Sequence, residues 1–194
     1  TRALVRRLRD HGVMKGTLLG PDADLGAALE GLRARQLPTD QISQVSTRTA
    51  YPSPLGKYNV VLFDFGLKHS ILRELDRRGC AVTVVPHDFT ANRVRTLSPD
   101  GIMLSNGPGD PAASDDHVTL LRGVLDRGLP FFGICFGNQI LGRALGLGTT
   151  KMKFGHRGIN VPVKNHLTGK IDITSQNHGF ALKAPDGVGA GGTF

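Results

Sequence analysis

From position 58 onward, short continuous apolar runs alternate with stretches whose apolar residues recur every three or four positions. Runs of the first kind suit strands buried on both faces, and stretches of the second kind suit amphipathic helices laid over them. Residues 58–65 and 81–86 read as strands. Between them, 68–78 reads as a helix with Ile71, Leu72 and Leu75 on one face, a Glu74/Arg78 pair at i,i+4 and Gly79 as its stop. A helical stretch at 91–97 leads to a third strand at 101–105, a turn-rich loop at 106–116, a helix at 117–127 and a fourth strand at 130–134. This order predicts an α/β fold, an open and mostly parallel sheet flanked by helices, whose ligands gather at the carboxyl ends of the strands.

After a helix at 138–145 the pattern changes to short β-like runs at 149–154, 159–163 and 170–174, joined by Gly- and His-containing turns. The N-terminal part holds a basic helix ended by Gly12, a short strand at 16–19 and a helix at 25–35, too little to bury a core alone. Residues 46–57, with Pro52, Pro54 and Gly56, read as a linker. Positions 1–50 are therefore expected to be the remnant of a smaller N-terminal domain with the start of the linker, and 58–194 the main domain. The stretch 187–192 formally fits Gly-x-Gly-x-x-Gly, but it follows no clear strand and opens no helix, so it reads as a flexible loop.

With 194 residues, 39% of them apolar, the chain can bury a real core. No segment has the ~20 apolar residues of a membrane span, and the N-terminus lacks a signal-peptide core, so the chain reads as soluble and cytoplasmic, with no membrane partner. Its two cysteines, Cys80 and Cys135, lie far apart and suggest neither a disulfide framework nor a metal site. Cys80 enters the second strand and reads as an inert core thiol. The formal charge of +8 is dispersed over helices without interleaved aromatics, which argues for a solvated surface or a face for an acidic protein and against a nucleic-acid partner. No Gly-x-x-x-x-Gly-Lys-Ser/Thr occurs, so this chain carries no P-loop for ATP.

The chemistry concentrates at Gly133-Ile134-Cys135-Phe136-Gly137, between the apolar run Pro130-Phe131-Phe132 and the helix that follows. The form Gly-x-Cys-x-Gly is the thiol counterpart of the Gly-x-Ser-x-Gly elbow, in which glycines two positions away on each side allow a sharp strand-to-helix bend. The bend would set Cys135 at a helix N-terminus, where unpaired amides and the helix dipole favour negative charge. The competing reading is a buried core thiol. The amide of Phe136 is placed to receive an oxyanion, and the loop Asn106-Gly107-Pro108-Gly109-Asp110-Pro111 offers bare backbone as a second donor, although Gly-Pro-Gly also serves as a simple turn.

Together, the segments 104–111 and 132–139 resemble the class I (triad) glutamine amidotransferases. Residues 151–160, 175–182 and Asp64-Phe65-Gly66-Leu67-Lys68 look like the small, glutamine-hydrolysing subunits of carbamoyl phosphate synthetases, and the likeness extends to Thr1-Arg2-Ala3-Leu4 and Lys15-Gly16. The resemblance implies that Cys135 attacks the side-chain amide of L-glutamine, forms a glutamyl thioester and releases ammonia, with backbone from Gly109 and Phe136 facing the oxyanion. It further implies a glutamine site made by Gly107, Gly109, Phe136, Gln139, Asn177, Gly179 and Phe180, with no metal and no cofactor on this chain. ATP and its metal are expected on a partner large subunit that makes carbamoyl phosphate from the ammonia and bicarbonate, for arginine or pyrimidine synthesis.

One departure is plain. The family pairs its cysteine with a histidine and glutamate in a downstream His-Pro-Glu, and no His-Pro-Glu occurs in these 194 residues. The chain therefore reads as an internal fragment of a longer subunit, poorly active because the triad His and Glu are absent, with His178 read as structural and not as a substitute base. The alternatives are a non-catalytic scaffold or regulatory protein of the same fold, a different cysteine hydrolase, and the glutaminase subunit of another amidotransferase.

Overall fold

The computed structural model describes residues 2–36, 38–53, 55–125 and 128–183. In chain order the elements are α1 (Arg2–His11), α2 (Leu25–Ala34), α3 (Gln41–Val45), β1 (Tyr51–Pro52), β2 (Tyr58–Asp64), α4 (His69–Asp76), β3 (Cys80–Pro86) and α5 (Ala91–Thr96). There follow β4 (Gly101–Leu104), a 3-10 turn at Pro111–Ala113, α6 (Asp115–Leu125), β5 (Phe131–Gly133), α7 (Phe136–Ala144), β6 (Thr149–Lys164) and β7 (Ile171–Leu182). The strands and helices expected between 58 and 145 are all present, their described ends shifted by one or two residues. Residues 126 and 127, and the Gly-rich stretch at 187–192, lie outside the described residues.

The main sheet has the order β1-β3-β2-β4-β5, parallel except for β1, and α4, α5 and α6 are the crossovers. Its central strands are apolar throughout because both faces are covered. Alternation divides them: Val61 and Phe63 join Leu104, Leu121, Phe136 and Ile140 under α5, α6 and α7, while Leu62 turns to Val82, Val84 and Met103 under α4. Cys80 packs at the edge of the second group. Ile42 of α3, 5% exposed, belongs to the first core, so α3 packs onto the main sheet's helical side.

Three expectations are corrected. Residues 16–19 form no strand; they have no neighbouring strand to pair with, and Leu18 is fully exposed. The linker is not featureless, since Tyr51 and Pro52 pair antiparallel with Val84 and Thr83. The separate β-like runs after residue 149 merge into one long antiparallel hairpin of β6 and β7. The breaks expected there are irregularities of register between Lys151 and His156 and between Gly158 and Val161, which the hairpin absorbs without ending. Gly155, at φ +72, permits the first of them, for a Cβ there would strike the His178 carbonyl.

Removing side-chain volume from the larger core has a defined consequence. Leu121→Ala, at a position with 0% exposure, is expected to lower unfolding free energy by about 2–5 kcal/mol, and Leu18→Ala by less than about 0.5 kcal/mol. Urea unfolding of the two variants checks this, and equal losses would contradict the assigned core.

Candidate active site

The strand β5 ends at Gly133 and α7 begins at Phe136, leaving two residues to reverse the chain. Cys135 takes the bend with φ 54 and ψ −112, a conformation that side chains rarely adopt and that persists only where surroundings impose it. Those surroundings are backbone. The Ile134 amide donates to the Leu104 carbonyl at 3.0 Å and the Gly137 amide to the Ser105 carbonyl at 3.1 Å, drawing the start of α7 onto the end of β4. At Gly137 a Cβ would lie 2.7 Å from both the Leu104 carbonyl carbon and the Leu104 Cβ, and at Gly133 one would lie 2.6 Å from the Asn138 amide. Both glycines of the elbow are thus steric necessities.

Cys135 is partly buried. Among the described residues its sulfur has one hydrogen-bond partner, the Asn177 carbonyl at 3.9 Å. Asn177 sits in β7 opposite Arg157 of β6, so the hairpin overhangs the elbow. Gln139, on the first turn of α7 and 6% exposed, donates from Nε2 to the Phe180 carbonyl at 2.8 Å, fastening α7 to β7. Two expected substrate contacts therefore meet each other. The amide of Phe136 has no hydrogen-bond partner among the described residues, nor has that of Gly109, which lies at φ +99 in the loop after β4. Gly107 stands in the same loop, where a Cβ would lie 2.9 Å from that of Phe65; its glycine is required by packing against the residue that follows β2. Gly179 packs beside Arg157.

His178 faces along the hairpin. Its Nδ1 lies 2.8 Å from the Phe180 carbonyl, and its Nε2 lies 3.1 Å from both Gln176 Oε1 and His156 Nδ1. Among the described residues its ring hydrogen-bond contacts all lie within the hairpin.

Several residues that hold the site carried no assigned role in the sequence reading. The buried carboxylate of Asp64 accepts from the amides of Gly66 (2.9 Å), Leu67 (2.8 Å) and Thr47 (2.8 Å), fixing the loop after β2. Ser105 Oγ accepts from the Phe65 amide at 2.9 Å, and Asn106 Nδ2 donates to the Gly66 carbonyl at 2.8 Å, lacing that loop to the one carrying Gly107 and Gly109. Behind Phe136, His117 of α6 meets His87, which follows β3, with Nε2 and Nδ1 3.0 Å apart. Burial, and after it the neighbouring His87, pushes the His117 pKa down to about 4, against the opposing pull of Asp116 and Asp88. Asp64 stood within a recognisable segment, but thirty residues separate the two histidines, and neither has a sequence signal.

The sequence profile described as glutamine amidotransferase class-I matches residues 61–190. The carbamoyl phosphate synthase pyrimidine-specific small chain of Bacillus subtilis is 52% identical over 184 residues, 95% of this chain and 50% of that protein. The carbamoyl phosphate synthase small chain of Streptococcus mutans is 53% identical over 182 residues, 94% of this chain and 50% of that protein. The chain thus spans about half the length of these curated relatives. Among solved structures, one described as a GMP synthase subunit from Thermoplasma acidophilum superposes with a TM-score of 0.55 at 23% identity, covering 66% of this chain and 69% of the other. A glutamine amidotransferase from Thermotoga maritima gives 0.50 at 14% identity, covering 66% and 64%. These two show the same fold.

Two outcomes follow from the site's geometry. Gly137→Ala must push α7 off β4, an overpacking expected to lower stability by about 1–3 kcal/mol and to slow Cys135 alkylation; unchanged unfolding and alkylation would contradict the close approach. His117 gives a pH effect. Unfolded, it takes a proton near about pH 6.5; folded, only near about pH 4. Between these values the unfolded chain binds the extra proton, so this contribution is complete above the upper value and is lost as pH falls toward the lower. The urea midpoint of the native chain should fall more steeply from pH 7 to 5 than that of His117→Phe, and parallel curves would overturn the burial argument.

Proposed function

The chain belongs to the class I glutamine amidotransferase family, and on that premise we propose that it carries the glutamine-hydrolysing chemistry of a carbamoyl phosphate synthase small chain. The observation that carries this reading is the Cys135 elbow, with the thiol at the start of α7 beside the Asn177 carbonyl. The 52% and 53% identities to proteins of that name support the substrate, L-glutamine.

In this reading the Cys135 sulfur attacks the side-chain amide carbon of glutamine. The oxyanion of the tetrahedral adduct is received by the Phe136 amide, whose N–H has no other partner among the described residues, and by that of Gly109. The carbon–nitrogen bond breaks, ammonia leaves with an added proton, and a glutamyl thioester remains. Water then attacks the thioester, the carbon–sulfur bond breaks, and glutamate departs as the thiol is restored. Asn177, Gly179 and Phe180 of β7, with Gly107 and Gln139, bound the glutamine. Gln139 also holds β7 in place through the Phe180 carbonyl. The ammonia passes to a large subunit, which supplies ATP and its metal and consumes bicarbonate. We place the reaction in the cytoplasm, where free thiols such as Cys80 and Cys135 persist.

Both half-reactions need a group that takes a proton from the thiol and gives one to the leaving nitrogen. With no His-Pro-Glu in the 194 residues and His178 engaged within the hairpin, the chain by itself is expected to acylate and turn over slowly. A chloroketone analogue of glutamine should modify Cys135 and not Cys80, and saturating glutamine should slow that modification at least about tenfold. Cys135→Ser should take up no label, and ammonia release from the native chain should stay near background. Labelling that ignores glutamine would defeat the assignment, and sustained ammonia release would defeat the expectation of slow turnover.

A further inference from the structure

The side chain of Phe136 is built into a cluster that the chemistry above does not use. Its ring, 1% exposed, lies edge-on to Phe65 with centroids 5.5 Å apart and to His117 with centroids 6.4 Å apart. Phe65 and His117 complete the triangle at 5.3 Å and an interplanar angle of 86°. The three rings come from the loop after β2, from α6 and from α7, so they join the elements whose relative placement sets the elbow. His117 is in turn held by His87, whose amide donates to Ser46 Oγ at 3.0 Å. Among the described residues the other ring nitrogen of His117, Nδ1, is buried without a hydrogen-bond partner.

A strained backbone such as that at Cys135 keeps its conformation only if neighbours over-determine it. On the sheet side this is done by Leu104 and Ser105. On the helix side Phe136 meets the ring of Phe65 and, from α6, the imidazole of His117. We propose that His117, in its neutral form, is a positioning residue for the Cys135 elbow, a wedge against Phe65 and Phe136 that fixes the Phe136 amide beside the thiol. The proposal rests on the glutaminase reading for what that amide does, but not for where it is.

The proton count explains why the neutral form is required. With its hydrogen on Nε2, a neutral His117 donates to Nδ1 of His87 at 3.0 Å. In that tautomer Nδ1 of His117 is a buried bare acceptor, a modest penalty. A second proton would put an N–H and a positive charge there with no acceptor. Of the titratable groups that face the ring, His87 opposes that proton and Asp116 and Asp88 favour it; with burial added, the opposition prevails. Protonation of His117 therefore works against the wedge.

Two thiol probes and two variants test this on the 194-residue chain, with adducts located by peptide mass because Cys80 is a second free thiol. His117→Phe keeps a ring and loses both nitrogens; His117→Ala removes the wedge. With dipyridyl disulfide, which needs only a reachable thiol, His117→Ala should react at least about threefold more slowly than the native chain at pH 7, and His117→Phe within about twofold of it. The native-to-Phe rate ratio cancels the titration of the thiol itself. It should be flat at neutral pH and should fall about twofold near pH 4, where half of His117 is charged. With the glutamine chloroketone, whose carbonyl oxygen needs the Phe136 amide, the loss in His117→Ala should reach about tenfold. If His117→Ala does not fold by circular dichroism, the native-to-Phe ratio decides alone. Disulfide rates that coincide for all folded chains at every pH would overturn the positioning role. A native chain that ignores the chloroketone but shows the disulfide differences would overturn the glutaminase reading and leave the wedge standing.

Discussion

The absence of any space between the first turn of α7 and the end of β4 is the constraint from which the rest of the site follows. Gly137 lies against Leu104 so closely that no side chain fits between them, and two hydrogen bonds from Ile134 and Gly137 keep the contact closed. With α7 fixed there, the chain must turn within two residues, and Cys135 is driven to positive φ. A thiol placed by backbone collision has little freedom to reorient, which is the preorganisation that a nucleophile would need. Phe136, the next residue, then has to point its ring into the core, where it is 1% exposed.

Around this contact the carboxyl edge of the sheet is stiffened by buried polar groups, each with partners. Asp64 carries three amide donors, enough to keep a carboxylate at 6% exposure without an opposing charge. Because one of those amides belongs to Thr47, the same carboxylate ties the segment after α3 to the loop after β2. Ser105 and Asn106 then bind that loop to its neighbour on β4. The loops after β2 and β4 are thus braced against one another.

Much of this was legible in the sequence, for a physical reason. The apolar run at 60–63 and the β-branched run at 82–85 suit strands covered on both sides, and Gly-x-Cys-x-Gly after such a strand leaves few backbone solutions. What was hidden depends on tertiary partners. Tyr51 and Pro52 are too short a strand to show alternation, and they become one only because β3 is there. Gly155 and Gly158 read as turns, whereas in the hairpin they are kinks inside a continuous ladder. The stretch at 16–19 had the pattern of a strand and no strand to pair with. For Gln139 and Phe180 the sequence indicated the neighbourhood but not that one would hold the other. The His87–His117 pair exists solely because α6 returns across the end of β3.

The two-residue strand β1 has a consequence for the behaviour of the molecule in concentrated solution. Ser53 turns its amide inward to the Val82 carbonyl at 2.6 Å, so by alternation the nitrogen of Pro52 faces outward, and a proline nitrogen carries no hydrogen. A sheet margin that is only two residues long and lacks its outward donor is a poor template for another strand. Colloidal self-association through that margin is therefore disfavoured by the covalent structure of one residue, independently of the chain's net charge.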